Sequence, residues 1–384
     1  MLRTVHALLA SFALSATSSA DDRTAKSGAL ADENFFPLAV WVQNPSRAAE
    51  YKKAGINTYV GLWRGPTDEQ LAELEKQGMK LICHQNRTAL AHNDGKTIIA
   101  WMHGDEPDNA QSRKDGKGYG PPIKPEKIVE DYKKLKATDP TRPVLLNLGQ
   151  GVAWDGWYGR GVRTNHPEDY PEYVKGADIV SFDIYPACHD HKDVADKLWM
   201  VADGVTRLRK WSGDQKTVWN CIETTRISNE KAIATPQQVR AEIWMSIIRG
   251  SKGIIYFCHQ FKPNFIEAGL LAEKEILTAV TKTNHQIQKL APVLNSPTVD
   301  DLVKVECPPD RPVEVLCKKH GGSVFLFAVA MRGADTNATF KITGAPANAK
   351  VEVIDEGRTL TLKDGTFVED FLGWEVHLYK IEGQ

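Results

Sequence analysis

The sequence shows little imbalance of charge: 48 Lys and Arg face 49 Asp and Glu, a formal net charge of -1. That balance leaves no electrostatic footprint for nucleic acid or an anionic membrane, so neither is expected as a partner. Long apolar runs are also missing. The run Ala7 to Ala16 falls short of the ~20 residues that span a bilayer, so no membrane insertion is expected. Cysteine is scarce, 6 in 384 residues, which excludes a scaffold held together by disulfides. There is no HExxH pair of a zinc hydrolase and no Gly-rich phosphate turn after the first strand-like run, where Trp41-Val42-Gln43-Asn44-Pro45 stands instead. What is present is ordinary globular composition, 42% hydrophobic and 25% charged, which excludes disorder and collagen-like structure.

The first residues follow the grammar of an export signal. Met1-Leu2-Arg3 is a short basic start, Ala7 to Ala16 is apolar, and Thr17-Ser18-Ser19-Ala20 offers small residues before Asp21. A signal peptide over 1–20 and an extension over 21–34 are therefore expected, with a secreted or periplasmic location. Among the cysteines, Cys83, Cys221 and Cys258 sit in apolar runs and read as small buried hydrophobes. Cys307 and Cys317 flank a Pro-rich segment between two strand-like runs, where a disulfide can close a hairpin. Cys188-His189-Asp190-His191 offers metal-ligand types, yet lacks a second spaced ligand group.

From residue 35 to 294 strand-like and helical patterns alternate. The strands are expected at Phe36 to Val42, Ile56 to Trp63, Met79 to His84, Ile98 to His103, Pro143 to Leu148, Asp178 to Tyr185, Thr217 to Ile222 and Gly253 to Cys258. Helical stretches follow them, for example Thr67 to Gln77, capped by Thr67 and ended by Gly78, and Asp193 to Trp211. Parallel neighbours need crossover connections, and eight such units match a closed (β/α)8 barrel, which takes about 250 residues. From 295 to 384 short alternating strands separated by Gly, Asn and Asp turns predict a small antiparallel β-domain, sandwich-like.

Active sites of such barrels lie at the C-terminal strand ends. The fourth strand ends in His103-Gly104-Asp105-Glu106-Pro107, the seventh in Cys221-Ile222-Glu223-Thr224-Thr225. Two carboxylates meeting at one mouth are what glycosidic cleavage uses: one protonates the leaving oxygen, the other attacks carbon or activates water. A saccharide also calls for aromatic faces and planar polar groups. Trp41, Trp63, His84, Asn147, Trp154, Trp157, Tyr158 and Asp183 sit at strand ends or in the loops after them and are candidate contacts. Arg226 and His259, with Arg160, Arg163 and His166, suggest reach to an acidic group on the substrate.

On these residues the chain resembles the retaining (β/α)8 glycoside hydrolases of clan GH-A, across the barrel and the β-domain. The resemblance implies Glu106 as acid/base, Glu223 as nucleophile, and Tyr185 as the tyrosine that donates to the nucleophile. It implies no cofactor and no metal. The sequence departs from the clan at Asp105, where Asn is usual, and at Phe257-Cys258-His259-Gln260, where Trp is frequent. Glu106 is expected to stay protonated through burial and the charge of Glu223. Two other readings are a non-catalytic carbohydrate-binding barrel, and a metal-dependent hydrolase using His84, His103, His189 and His259.

Overall fold

A computed structural model describes residues 28–92 and 95–382. The signal segment expected over 1–20 lies outside them. Eight parallel strands form the barrel: β1 (Leu38–Trp41), β2 (Thr58–Val60), β3 (Lys80–Cys83), β4 (Ile98–Met102), β5 (Val144–Leu148), β6 (Ile179–Phe182), β7 and β8 (Ile254–Phe257). Strand β7 comes in two pieces, Thr217–Val218 and Asn220–Glu223, either side of Trp219. The first piece pairs with β6 and the second with β8, while β8 pairs with β1, so the ring closes through the interrupted strand. Nearly every strand position is buried, as expected of a parallel sheet covered by helices outside and side chains within. Ala39, Trp41, Ile82, Ala100, Leu145, Trp219, Cys221 and Ile255 fill the interior, and Ala29, Leu30 and Phe35 from the N-terminal extension pack against them.

The helices are α1 (Ala48–Lys53), α2 (Asp68–Lys76), α3 (Arg87–Ala91), α4 (Pro125–Thr138), α5 (Tyr170–Tyr173), α6 (Met200–Ser212), α7 (Pro236–Ile248), α8 (Gly269–Ala272) and α9 (Lys274–Asn295). Thr67 caps α2 in a reciprocal capping box with Gln70, as its sequence predicts. Helix α6 starts at Met200 rather than near Asp193, because residues 191–199 form turns and Gly213 closes the far end in a left-handed conformation.

The C-terminal domain holds β9 (Val303–Glu306), β10 (Val313–His320), β11 (Ser323–Ala330), β12 (Thr336–Ile342), β13 (Lys350–Val353), β14 (Arg358–Thr361), β15 (Thr366–Phe371) and β16 (Val376–Ile381). They form one sheet in the order β9-β12-β15 and another in the order β10-β11-β16-β13-β14. Strand β15 is not evident in the sequence, because its pattern carries Glu369 as an inward residue, neutralised by Arg358 at 2.8 Å. The disulfide expected between Cys307 and Cys317 is corrected: both are free thiols. The runs flanking them belong to different sheets, so there is no hairpin to close, and Cys307 Sγ accepts from Val313 N–H instead.

The β-domain shares a core with the outer helices. Trp244 of α7 stacks on Phe327 with centroids 5.3 Å apart and planes 10° apart. The guanidinium of Arg332 lies 3.8 Å over Trp199. Helix α7 thus touches barrel and β-domain, and its N-terminus is set by a capping box: Gln238 N–H donates to Thr235 Oγ1 at 3.2 Å while Thr235 N–H donates to Gln238 Oε1 at 2.9 Å. Thr235→Ala is expected to lower stability by about 1 kcal/mol in chemical denaturation, through the orphaned N–H it leaves. An unchanged midpoint would show that packing alone sets this helix start.

Candidate active site

The mouth is organised by the loop after β4. Glu106 adopts a left-handed backbone conformation, φ 41, unusual for a residue with a side chain and tolerated where the surroundings enforce it. Its N–H donates to Asn147 O on β5, and its own carbonyl accepts from Asn109 N–H. Asp108 fixes the loop from below. It is fully buried and accepts from Gly149 N–H and the Tyr170 hydroxyl, each at 2.9 Å. Glycine at 149 matters for space: a Cβ there would stand 2.8 Å from Glu106 Oε1 and 2.8 Å from Asn109 Nδ2.

Three carboxyl groups gather at this place, Asp105 and Glu106 from β4 and Asp183 from β6. Asn147 joins them, its amide donating to Asp105 at 2.9 Å and to Asp183 at 3.4 Å, while its oxygen accepts from Ser181 at 2.8 Å. Burial, then the charges of Asp183, Asp105 and Asp108, push the Glu106 carboxyl well above the usual range, and it hydrogen-bonds Asp183 in its protonated form. Burial chiefly raises Asp183 to about 7, with Asp105 adding to it and the hydrogen bond from Glu106 opposing it. Asp105 rises to about 6, again mainly through burial. Solvent nevertheless reaches Asp105, while Glu106 and Asp183 are half-buried. The Tyr185 hydroxyl lies buried beside Asp183, and its hydrogen bond to that carboxylate opposes the rise of the Asp183 pKa.

Glu223 is elsewhere, and the expectation that it faces Glu106 is corrected. It has no exposed surface. Its two oxygens accept from Ala187 N–H and Cys188 N–H, each at 2.7 Å. As the last residue of β7 it turns toward α7, where Asn220 meets Ser246 at 2.8 Å and Glu223 meets the carboxyl of Glu242. Burial, the largest influence, raises Glu223 to about 7 against the opposing hydrogen bonds of its neighbours. Glu106 is therefore kept protonated by Asp183 rather than by Glu223, and Tyr185 stands next to Asp183 rather than serving Glu223.

The other candidates divide. Trp41 is buried in the barrel interior, whereas Trp63 is exposed with Arg64 over its ring. His84 is exposed, with Nδ1 3.3 Å from Met102 O. Trp154 and Trp157 are half-buried at the rim, 5.8 Å apart. His259 stands 3.2 Å from Gln43 and stacks near Phe261. The basic groups expected to reach an acidic substrate are already engaged. Arg226 pairs with Glu273 at 3.0 Å, Arg160 with Asp169 at 2.7 Å, Arg163 with Asp169, and His166 with Glu168 at 2.6 Å. The four histidines of the metal reading have separate partners: His103 meets Gly176 O at 2.8 Å and His189 meets Gln150 at 3.0 Å, while His84 faces Met102 O and His259 faces Gln43.

No family model matches the chain, and no curated protein matches it in sequence. Among solved structures it is similar to a catalytic mutant of a GH42 beta-galactosidase from G. stearothermophilus, with a TM-score of 0.58 at 8% identity over 91% of this chain and 98% of that one. It is also similar to a GH30 endoxylanase from Clostridium papyrosolvens C71, TM-score 0.48 at 10% identity, over 94% and 98% of the two chains. An Anoxybacillus alpha-amylase gives a TM-score of 0.48 at 8% identity, over 92% and 99%. At 8% identity the likeness to the beta-galactosidase is one of fold alone. Folds of this kind host many chemistries, so the site must carry the functional argument.

Sequence reasoning missed several residues here. Asp108 was legible as a further acid in Asp105-Glu106-Pro107-Asp108, and Glu242 as an acid inside the apolar run Ala241 to Ile248. A buried acid in a helix needs a partner, and that demand points to another group nearby.

Proposed function

We propose that the chain is a glycoside hydrolase in which Glu106 donates the proton to the leaving oxygen. The observation that carries this is the gathering of the Glu106, Asp183 and Asp105 carboxyls around Asn147 at the C-terminal strand ends, with Glu106 held in its protonated form. A carboxylic acid kept neutral near pH 7 next to an ionisable carboxylate is the division of labour that acetal cleavage requires. A barrel that only binds sugars has no use for a strained, proton-sharing acid pair.

The roles follow from the environments. Glu106 holds its proton because it is buried, because Asp183 repels a second negative charge, and because Asp183 accepts the proton in a hydrogen bond. Asp105, ionised above about 6 and open to solvent, is the group placed to draw a proton from water. Retention through two carboxylates calls for a separation of about 5–5.5 Å, and inversion about 6.5–9.5 Å. Glu106 and Asp183 in direct contact fit neither, so we assign Asp183 to positioning the proton and Asp105 to water activation. A single displacement with inversion, in place of the retaining double displacement expected through Glu223, requires the Asp105 and Glu106 carboxyls to stand about 6.5–9.5 Å apart across the sugar. Proton NMR of the first-formed sugar anomer tests it, and a retained anomer would sink the assignment of Asp105.

Asp183→Asn provides the matching pH test. The change removes both the charge and the carboxylate acceptor that raise the Glu106 pKa. The basic limb of kcat/KM, which reports loss of the acid's proton, is expected to move to lower pH by about one pH unit. A limb that stays in place would detach Glu106 from Asp183. Export to the periplasm or the medium is part of the proposal and rests on the grammar of residues 1–20.

A further inference from the structure

Two aromatic surfaces run outward from the carboxylate pair, and neither has a role in the bond-breaking step. The first starts at Tyr185, two residues after Asp183; the buried Tyr185 hydroxyl lies against the Asp183 carboxyl. Its ring lies 5.1 Å from Phe257, which lies 5.3 Å from His259 and 5.9 Å from Phe261. His259 is nearly parallel to Phe261 and Phe265, at 17° and 16°. The row ends in solvent, with Phe261 46% and Phe265 62% exposed. It is held in shape: Gln260 and Ile266 exchange two backbone hydrogen bonds of 2.9 and 3.0 Å, and Gln43 reaches both His259 and Glu267 O.

The second surface starts at Glu106. Asn109 lies against the same point of Gly149 as the Glu106 carboxyl, and it accepts from Trp157 Nε1 at 2.8 Å. Trp157 is 4.7 Å from Tyr158, which is 62% exposed, and Trp154 is 4.8 Å from His191. The two surfaces stand on β8 and β5, three strands apart around the ring.

Resting on the glycosidase reading, we infer that this mouth binds a neutral oligosaccharide chain across both aromatic surfaces and cleaves it at an internal bond. Pyranose rings present apolar C–H faces that stack on such side chains. A pocket that takes only a terminal sugar needs one such surface; two surfaces, each touching one member of the acid pair, place sugar units on both sides of the bond. The chain is neutral because the ionisable carboxylates of Asp105 and Asp183 crowd the centre and would repel an acidic sugar.

The test uses cello-, xylo-, manno- and malto-oligosaccharides of two to six sugars, titrated calorimetrically into the full chain carrying Glu106→Gln. One series is expected to bind with affinity rising about tenfold or more from the disaccharide to the hexasaccharide. The pair Phe261→Ala and Phe265→Ala, and separately Tyr158→Ala, are each expected to remove about tenfold from the hexasaccharide only. Wild-type digestion of the end-labelled hexasaccharide should release internal fragments first. Absence of binding by every series, no dependence on length, or release of single sugars from one end would each overturn the inference. Length-dependent binding with no cleavage by the wild type would instead overturn the glycosidase reading and leave the aromatic surfaces standing.

Discussion

Glu106→Gln is expected to lower kcat/KM about a thousandfold on a glycoside with an alkyl or sugar leaving group, and to leave the fold intact. Gln keeps the shape and can still donate to Asp183, so the hydrogen bond that holds the side chain survives while the transferable proton is lost. General acid catalysis is worth about 10²–10⁴-fold when the departing oxygen is a poor leaving group. A nitrophenyl glycoside departs without a proton, so the same variant should lose far less on it. The contrast between leaving groups is the signature, because a merely misfolded or poorly binding variant would lose both rates together. Equal losses on the two substrates would remove Glu106 from the acid role. Circular dichroism and the unfolding midpoint check the fold, and the midpoint should stay near that of the wild type, because a neutral amide replaces a neutral acid.

The barrel was legible because its signals are local and repeated. Each strand is a short apolar run ended by Gly, Pro or a polar residue, and α2 declares both its cap and its stop in sequence. The location of Glu106 was legible for the same reason, since a strand that ends in Gly104-Asp105-Glu106-Pro107 can put those acids only at the mouth. The partner of Glu106 was not. Period two says which faces a strand has, but not where its last residue turns once hydrogen bonding to the neighbour stops. Glu223 is that last residue, and the amides of Ala187 and Cys188, from a loop about 35 residues earlier in the chain, draw it away from the mouth. Asp183 stands in plain view within Phe182-Asp183-Ile184-Tyr185, where it reads as a sugar contact. Its proximity to Glu106 depends on the lateral shift between β4 and β6, which is not written in either strand. Cys307 and Cys317 teach the same lesson: adjacency in sequence suggests a hairpin, and sheet order decides otherwise.

The buried pair Glu223 and Glu242 predicts an inverted dependence of stability on pH. Both carboxyls are enclosed, Glu223 is raised to about 7 and Glu242 well above its usual range, with burial the largest cause for each. A carboxyl whose pKa is higher in the folded chain binds more protons folded than unfolded. Its stabilising effect is complete below the unfolded value of about 4.3 and disappears as pH rises through the folded value. The pair titrates together, and its stabilising effect is therefore lost as pH rises from about 4.3 through the raised folded values. Asp105, Asp183 and Glu106, raised in the same sense, add to the slope. Glu242→Gln should flatten it. The amide stays neutral at every pH and can donate to an ionised Glu223, which keeps its two backbone donors. Urea midpoints at about pH 5 and 8 are expected to differ by a large margin in the wild type and by much less in the variant. Glu223→Gln should behave differently again, because an amide offers one oxygen where Ala187 and Cys188 need two. One N–H is then left without an acceptor, at a cost of about 1–3 kcal/mol at either pH, and the loop carrying Asp183 and Tyr185 loses its anchor. Activity of that variant should fall equally on alkyl and nitrophenyl glycosides, since the proton on Glu106 is untouched. A Glu223→Gln enzyme with wild-type stability but no turnover on either substrate would return Glu223 to the chemistry and place the attacking carboxylate on β7.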